Sequence, residues 1–420
     1  MRRYESYKDS GVEWLWEVPS HWNLTPNKYL FKLRKNVVGK RSSEYDLLSL
    51  SLKGVIKRDM ANPKGKFPAE FDTYQEVKEG DFIFCLFDVE ETPRTVGLSS
   101  YHGMITGAYT IFETNNVDKK FIYYFYLNLD SDKRLKPLYK GLRNTISKET
   151  FFSFNTFIPP LSEQQKIAQF LNDKTAKIDQ AVDLAEKQIA LLKEHKQILI
   201  QNAVTRGLNP DVPLKDSGVE WIGQVPEHWD VQRSKFIFKK IERKVNEEDQ
   251  IVTCFRDGQV TLRANRRTEG FTNALKEHGY QGIRKGDLVI HAMDAFAGAI
   301  GISDSDGKAT PVYSVCLPHD KQKIDVYFYA YYLRNLALSG FIRSLAKGIR
   351  ERSTDFRYAD FAELLLPIPP YLEQQKIADY LDKQTSKIDQ AIALKTAHIE
   401  KLKEYKSVLI NDVVTGKVRV

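Results

Sequence analysis

Cysteine is scarce in this chain, and its three positions, Cys85, Cys254 and Cys316, stand far apart in apolar, strand-like surroundings. That spacing excludes a disulfide framework and a zinc ribbon, and it predicts buried free thiols. Long hydrophobic runs are missing as well. No window reaches the roughly 18 apolar residues that a membrane span needs, and the opening MRRYESYKDS has no apolar core of signal-peptide length. The expectation is a cytoplasmic protein with no membrane partner.

Catalytic patterns are equally thin. There is no Gly-x-x-x-x-Gly-Lys-Ser/Thr phosphate loop and no His-Glu-x-x-His, and none of the eight histidines pairs at ligand spacing. Ile368-Pro369-Pro370-Tyr371 approaches the Asn/Asp-Pro-Pro-Tyr loop of amino-methyltransferases, but the residue that would bind the target amine is apolar and no glycine-rich cofactor turn precedes it. Asp72 with Glu76-Val77-Lys78 faintly imitates a nuclease centre. Its repeat partner, Gly282-Ile283-Arg284, has nothing to hold a metal. A non-catalytic chain without metal or cofactor of its own is expected.

What is present is a duplication. EQQKIAQFLNDKTAKIDQA (Glu163 to Ala181) returns as EQQKIADYLDKQTSKIDQA (Glu373 to Ala391), with 13 of 19 pairs identical. KDSGVEWLWEVPSHW (Lys8 to Trp22) returns as KDSGVEWIGQVPEHW (Lys215 to Trp229), a turn and an extended lead-in that Trp14, Trp22, Trp221 and Trp229 anchor by packing. Between these landmarks lie divergent stretches of domain size. Gly80-Asp81 and Gly286-Asp287 each feed an apolar strand, and short strands follow at Val96-Gly97-Leu98 with Ile105 to Ile111, and at Ile300-Gly301-Ile302 with Ala309 to Val315. The aromatic runs Phe121 to Leu127 and Tyr327 to Leu333 are apolar nearly all round, which predicts core helices in preference to base-stacking platforms. Pro159-Pro160 and Pro367, Pro369-Pro370 then close each mixed domain.

Each repeat continues into a long polar helix carrying one narrow apolar seam. Leu171, Ile178, Val182, Ile189, Leu192 and Leu199 recur at steps of three, four and seven, and Leu381, Ile388, Ile392, Ile399, Leu402 and Leu409 repeat the pattern. Such spacing predicts a coiled coil, with the two copies pairing antiparallel or each seeking a partner in another subunit. Lys196, Lys406 and Lys395 interrupt the seam and are expected to snorkel at the helix-pair edges. The 42 residues from Glu163 to Val204 would make a rod of roughly 60 Å. Ser162 and Gln165 have capping-box spacing at its start, whereas Leu372 stands in the second copy.

With 420 residues, 42% hydrophobic composition and a net charge of +8, the chain has room for two or three cores and suits a polyanionic partner. Basic residues crowd the divergent stretches: Lys53, Lys57, Arg58, Lys64 and Lys66 in the first half, Arg256, Arg263, Arg266 and Arg267 in the second. Lys140-Gly-Leu-Arg143 and Lys347-Gly-Ile-Arg350 add a basic turn to each. Such side chains neutralise phosphates or read guanine edges. Lys53, Arg58, Lys140, Arg143, Arg256, Arg263, Arg266, Arg267, Lys347 and Arg350 are therefore the candidate DNA contacts. Two classes remain open on these residues: a DNA-binding protein, and a coiled-coil scaffold whose mixed domains bind other proteins.

The doubled Pro-Pro-x-x-Glu-Gln-Gln-Lys-Ile-Ala opening, the Lys-Ile-Asp-Gln heptads, the doubled Lys-Asp-Ser-Gly-Val-Glu-Trp lead-in and the Gly-Asp strands together resemble the specificity subunit of type I restriction-modification systems. The resemblance covers essentially the whole length. It implies a mixed α/β (α+β) fold with an internal pseudo-twofold repeat: target-recognition domains at residues 1–160 and 207–370, and spacer helices at 161–206 and 371–420. It implies a non-catalytic subunit of an adenine methyltransferase and ATP-dependent endonuclease. Each domain would read half of a split site in double-stranded DNA, and the helices would fix the gap. The implied partners are two modification subunits, which use S-adenosylmethionine, and two restriction subunits, which use ATP and magnesium.

Overall fold

The structure, a computed structural model, describes residues 2–60, 70–139, 144–266, 269, 278–345 and 355–420. The chain divides into two compact units, Met1–Glu186 with Ala397–Val420, and Lys187–Thr396. Each long helix, Leu161–Arg206 and Tyr371–Val414, contributes one part to each unit.

In the first unit a four-stranded antiparallel sheet takes the order Phe31–Arg34, Thr110–Thr114, Phe82–Phe84, Val96–Leu98. Two-stranded ladders surround it: Tyr7–Val12 with Leu15–Pro19, Asn23–Pro26 with Asn155–Ile158, Gln75–Val77 with Gly103–Ile105, and Leu48–Ser51 with Gly54–Lys57. The second unit repeats every pairing, with its four strands ordered Phe238–Lys240, Tyr313–Pro318, Leu288–His291, Ile300–Ile302. The stretches 105–111 and 309–315 are each interrupted by a turn and contribute to two different ladders. All three cysteines are free and buried, and burial pushes the Cys316 thiol up to about 12.

The aromatic runs lie in helices Lys119–Ser131 and Val326–Leu338. Phe121, Phe125, Tyr126, Phe328, Tyr329 and Tyr332 are buried, so these rings are core. The repeated Gly-Asp pairs have a local reason. Gly80 and Gly286 occupy the left-handed region at φ 82° and 89°, and the following carboxylates cap the turn by accepting from Lys78 N (2.7 Å) and Arg284 N (2.8 Å). Arg34 and Arg243 neutralise those buried aspartates.

Within each unit the two long helices run antiparallel. In the first, Asp179 binds Lys406 Nζ at 2.6 Å, while Glu163 and Lys166 lie near Arg419 and Val420. In the second, Gln188 accepts from Lys395 (2.6 Å), Asp389 from Lys196 (2.6 Å), and Gly207 lies against Glu373. The seam lysines therefore reach carboxylates and an amide on the facing helix, as snorkelling requires. All twelve seam positions are buried or half-buried.

The expected capping box at Ser162 and Gln165 is not formed. The first helix already begins at Leu161, where the Pro160 carbonyl accepts from Glu163 N (2.9 Å) and Gln164 N (3.0 Å). Gln164, not Gln165, does the connecting. Its Oε1 accepts from Asp118 N (2.9 Å), the residue capping the aromatic helix, and its Nε2 donates to Pro159 O (2.8 Å). Gln374 does the same to Asp325 N and Pro369 O, both at 2.8 Å. The preceding glutamates clamp the lead-ins: Trp22 Nε1 donates to Glu163 at 3.1 Å and Trp229 Nε1 to Glu373 at 3.2 Å, with His21 and His228 beside them. The doubled Glu-Gln-Gln motif is thus a fold clamp that joins helix, lead-in and domain.

Candidate nucleic-acid interface

Among the described residues of the second unit, Arg256, Arg263 and Arg266 gather at one hairpin. Val252–Cys254 pairs with Val260–Leu262, and the turn between them closes through Phe255 N to Gln259 O (2.9 Å) and Gly258 N to Phe255 O (2.8 Å). Gly258 is required there. Its φ is 88°, and a Cβ would fall on the guanidinium of Arg334, a half-buried side chain of the aromatic helix that donates to Gly298 O at 2.9 Å. The hairpin tip therefore rests on a side chain of the aromatic helix.

Beside the tip lies a cleft of about 540 Å³, walled by Thr253, Arg256, Asp257, Arg263, Arg266 and Asp294. Arg256 donates from Nε (3.2 Å) and Nη2 (2.7 Å) to Asp294 Oδ1. Arg266 pairs with Asp257 at 2.7 Å and lies 4.3 Å over the Phe255 ring. Arg263 Nε reaches Thr253 Oγ1 at 3.4 Å. His291 packs 4.6 Å from the Tyr313 ring, and burial lowers its pKa, which favours the neutral imidazole. Arg256 and Arg266 each pair with a carboxylate, so these two supply directed donors more than net positive charge.

The first unit places its predicted residues differently. Lys53 is exposed in the turn between Leu48–Ser51 and Gly54–Lys57, where its N–H donates to Ser51 Oγ (3.2 Å). Arg58 is half-buried beyond the far end of that hairpin, with its N–H on Leu47 O (2.8 Å). The two are not brought to one point. Lys57, next to Arg58, pairs with Asp46 at 2.6 Å and lies over the Tyr101 ring. Lys140, Arg143, Arg267, Lys347 and Arg350, with Lys64 and Lys66, lie outside the described residues.

Sequence reasoning missed Asp294, which comes 38 positions after Arg256. Counting on from the Gly-Asp landmark places it opposite Asp88 of the first half, and that count was the available signal. The apparent catalytic fragments are structural. Glu76 accepts from Asn36 Nδ2 at 2.5 Å, and the Pro369 and Pro370 carbonyls receive Gln374 and Glu373. Among the described residues no group of three or more His, Cys, Asp or Glu could hold a metal ion, and no helix is long and apolar enough to cross a membrane.

A family model described as the type I restriction modification DNA specificity domain matches residues 104–193 and 226–404, well over half of the chain. The type I restriction enzyme MjaVIII specificity subunit of Methanocaldococcus jannaschii is 26% identical over 333 residues, covering 76% of this chain and 75% of its own. The putative MjaX specificity subunit of the same organism is 23% identical over 373 residues, covering 81% and 79%. Among solved structures, a chain from work on complex assembly and conformational transition of the type I R-M system superposes with TM-score 0.67 at 14% identity, covering 96% of this chain and 99% of that one. The HsdS subunit from Thermoanaerobacter tengcongensis superposes with TM-score 0.52 at 15% identity, covering 96% and 98%. At those identities the superpositions speak for the fold alone.

Proposed function

The chain belongs to the type I restriction-modification DNA specificity family, and from that premise we propose that each mixed domain reads one half of a bipartite double-stranded DNA site. The paired helices would set the gap between the halves and dock the modification subunits. The observation that carries this reading is one scaffold drawn twice with different hairpin tips: Ser51-Leu52-Lys53-Gly54 in the first unit and Phe255-Arg256-Asp257-Gly258 in the second. Two like hairpins with unlike tips suit two unlike half-sites.

Specificity subunits of this family are non-catalytic. Adenine methylation with S-adenosylmethionine would fall to two modification subunits, and ATP- and magnesium-dependent cleavage to two restriction subunits. Docking is supported by apolar side chains the helices leave exposed outside their seams. Among these are Leu184, Tyr405 and Val408 in the first unit, and Leu191, Ile198 and Leu394 in the second. Exposed leucines at a seven-residue step suit a partner helix.

The test is to assemble the chain with its modification subunits and map methylated adenines on random-sequence DNA. A split motif with a fixed gap is expected. Methylation without sequence preference, or efficient split-motif methylation by the modification subunits alone, would overturn the assignment.

A further inference from the structure

Resting on the DNA-reading function above, we infer that Arg256, held by Asp294, reads the N7 and O6 edge of a guanine in the half-site of the second domain. Asp294 is itself fixed. Its N–H donates to His291 Nδ1 at 3.1 Å, and its carbonyl accepts from Ala297 N (2.9 Å) and Ala299 N (3.2 Å). The carboxylate takes the Nε and Nη2 side of the guanidinium, which leaves the terminal Nη1–Nη2 fork for another acceptor on a side chain that is 67% exposed.

A freely rotating arginine loses rotamer freedom when it binds, whereas this one is already restrained by two hydrogen bonds to Asp294. Guanine presents two acceptors at the spacing of that fork, while adenine replaces O6 with a donor. Charge separates a base contact from a phosphate contact. Asp294 neutralises Arg256 and would repel a phosphate, yet it leaves the donors pointing outward at a neutral base edge. The Arg266–Asp257 pair, stacked on Phe255, extends the same directed surface.

The first unit cannot make this contact at the equivalent place. Its turn glycine, Gly54 at φ 90°, matches Gly258, which puts Leu52 where Arg256 stands. Leu52 is 66% exposed and offers methyl groups, a surface suited to the thymine methyl. The guanine contact made from the hairpin tip should therefore appear in one half-site only.

The experiment uses the full chain assembled with its modification subunits and compares methylation maps of the native protein, Arg256→Ala, Arg256→Lys and Asp294→Asn. Arg256→Ala should relax one G·C position in one half-site by roughly ten- to a hundredfold and leave the other half-site intact. Arg256→Lys should not restore it, because an ammonium has no fork. Asp294→Asn should weaken the same position by less. The unaltered half-site within each molecule is the internal control for folding and assembly. An unchanged motif in Arg256→Ala, or a uniform loss over all sites, overturns the inference while the DNA-reading function stands. Absence of a split motif in the native complex overturns both, and the native map alone reveals it.

Discussion

At the start of each long helix the two units use one design. Glu163 and Glu373 each receive a tryptophan indole and a histidine, and Gln164 and Gln374 each join a proline carbonyl to the amide of a helix cap. At the hairpin tips the units share only the left-handed glycine. An exposed leucine with a lysine in one is replaced by an anchored arginine with an aspartate in the other. The difference follows from burial. A buried polar clamp satisfies several groups at once, so any change strands a donor or acceptor. A tip raised on a fixed support exchanges its side chains at little cost to the fold.

The strongest way to break the comparison is at the shared tryptophans. Trp22 and Trp229 are fully buried, each edge-on to a phenylalanine of its aromatic helix with ring centroids 6.2 Å apart. Trp22→Ala and Trp229→Ala should each cost about 3–5 kcal/mol, as large buried aromatics do. Guanidinium denaturation monitored by circular dichroism would measure both losses. A large loss at one site and almost none at the other would show that the two clamps are not equivalent.

Much of this architecture is legible in the sequence because it is written twice. The lead-ins, the Gly-Asp turns, the long helices and their seams all follow from local pattern plus repetition, while pairing of the copies rests on matching seams and its antiparallel direction on the whole domain between them. The clamp is not legible. Glu163 and Gln164 look like ordinary residues of a helix start, and their partners lie in other elements. The capping pattern at Ser162 misleads because it presumes where the helix begins, while the proline pair lets it begin two residues earlier than that pattern requires, at Leu161. The arginine-rich stretch announces charge, but only the tertiary fold brings Asp294 to Arg256 and turns charge into direction.

A smaller effect separates the two glutamines. Gln374 makes three hydrogen bonds, to Asp325 N, Pro369 O and Lys323 O, whereas Gln164 makes the first two equivalents. Replacement by alanine strands buried backbone groups, so each should cost about 1–3 kcal/mol, with Gln374→Ala the larger loss. The same denaturation measurement, made side by side, tests the order. A reversed order would mean that the third contact contributes nothing.

The smallest expected effect lies at the seam lysines, where the units match again: Lys406 with Asp179 in the first, Lys196 with Asp389 in the second. The aspartates are largely exposed, so solvent and salt screen both pairs. Double-mutant cycles with Lys406→Met and Asp179→Asn, and with Lys196→Met and Asp389→Asn, should each return a coupling of about 0.2–1 kcal/mol that shrinks at high salt. Couplings several times larger would make these pairs structural clamps like the glutamates. Couplings in the expected range would assign them to register, because each fixes one helix against the other at a repeated position while the apolar seam supplies the stability.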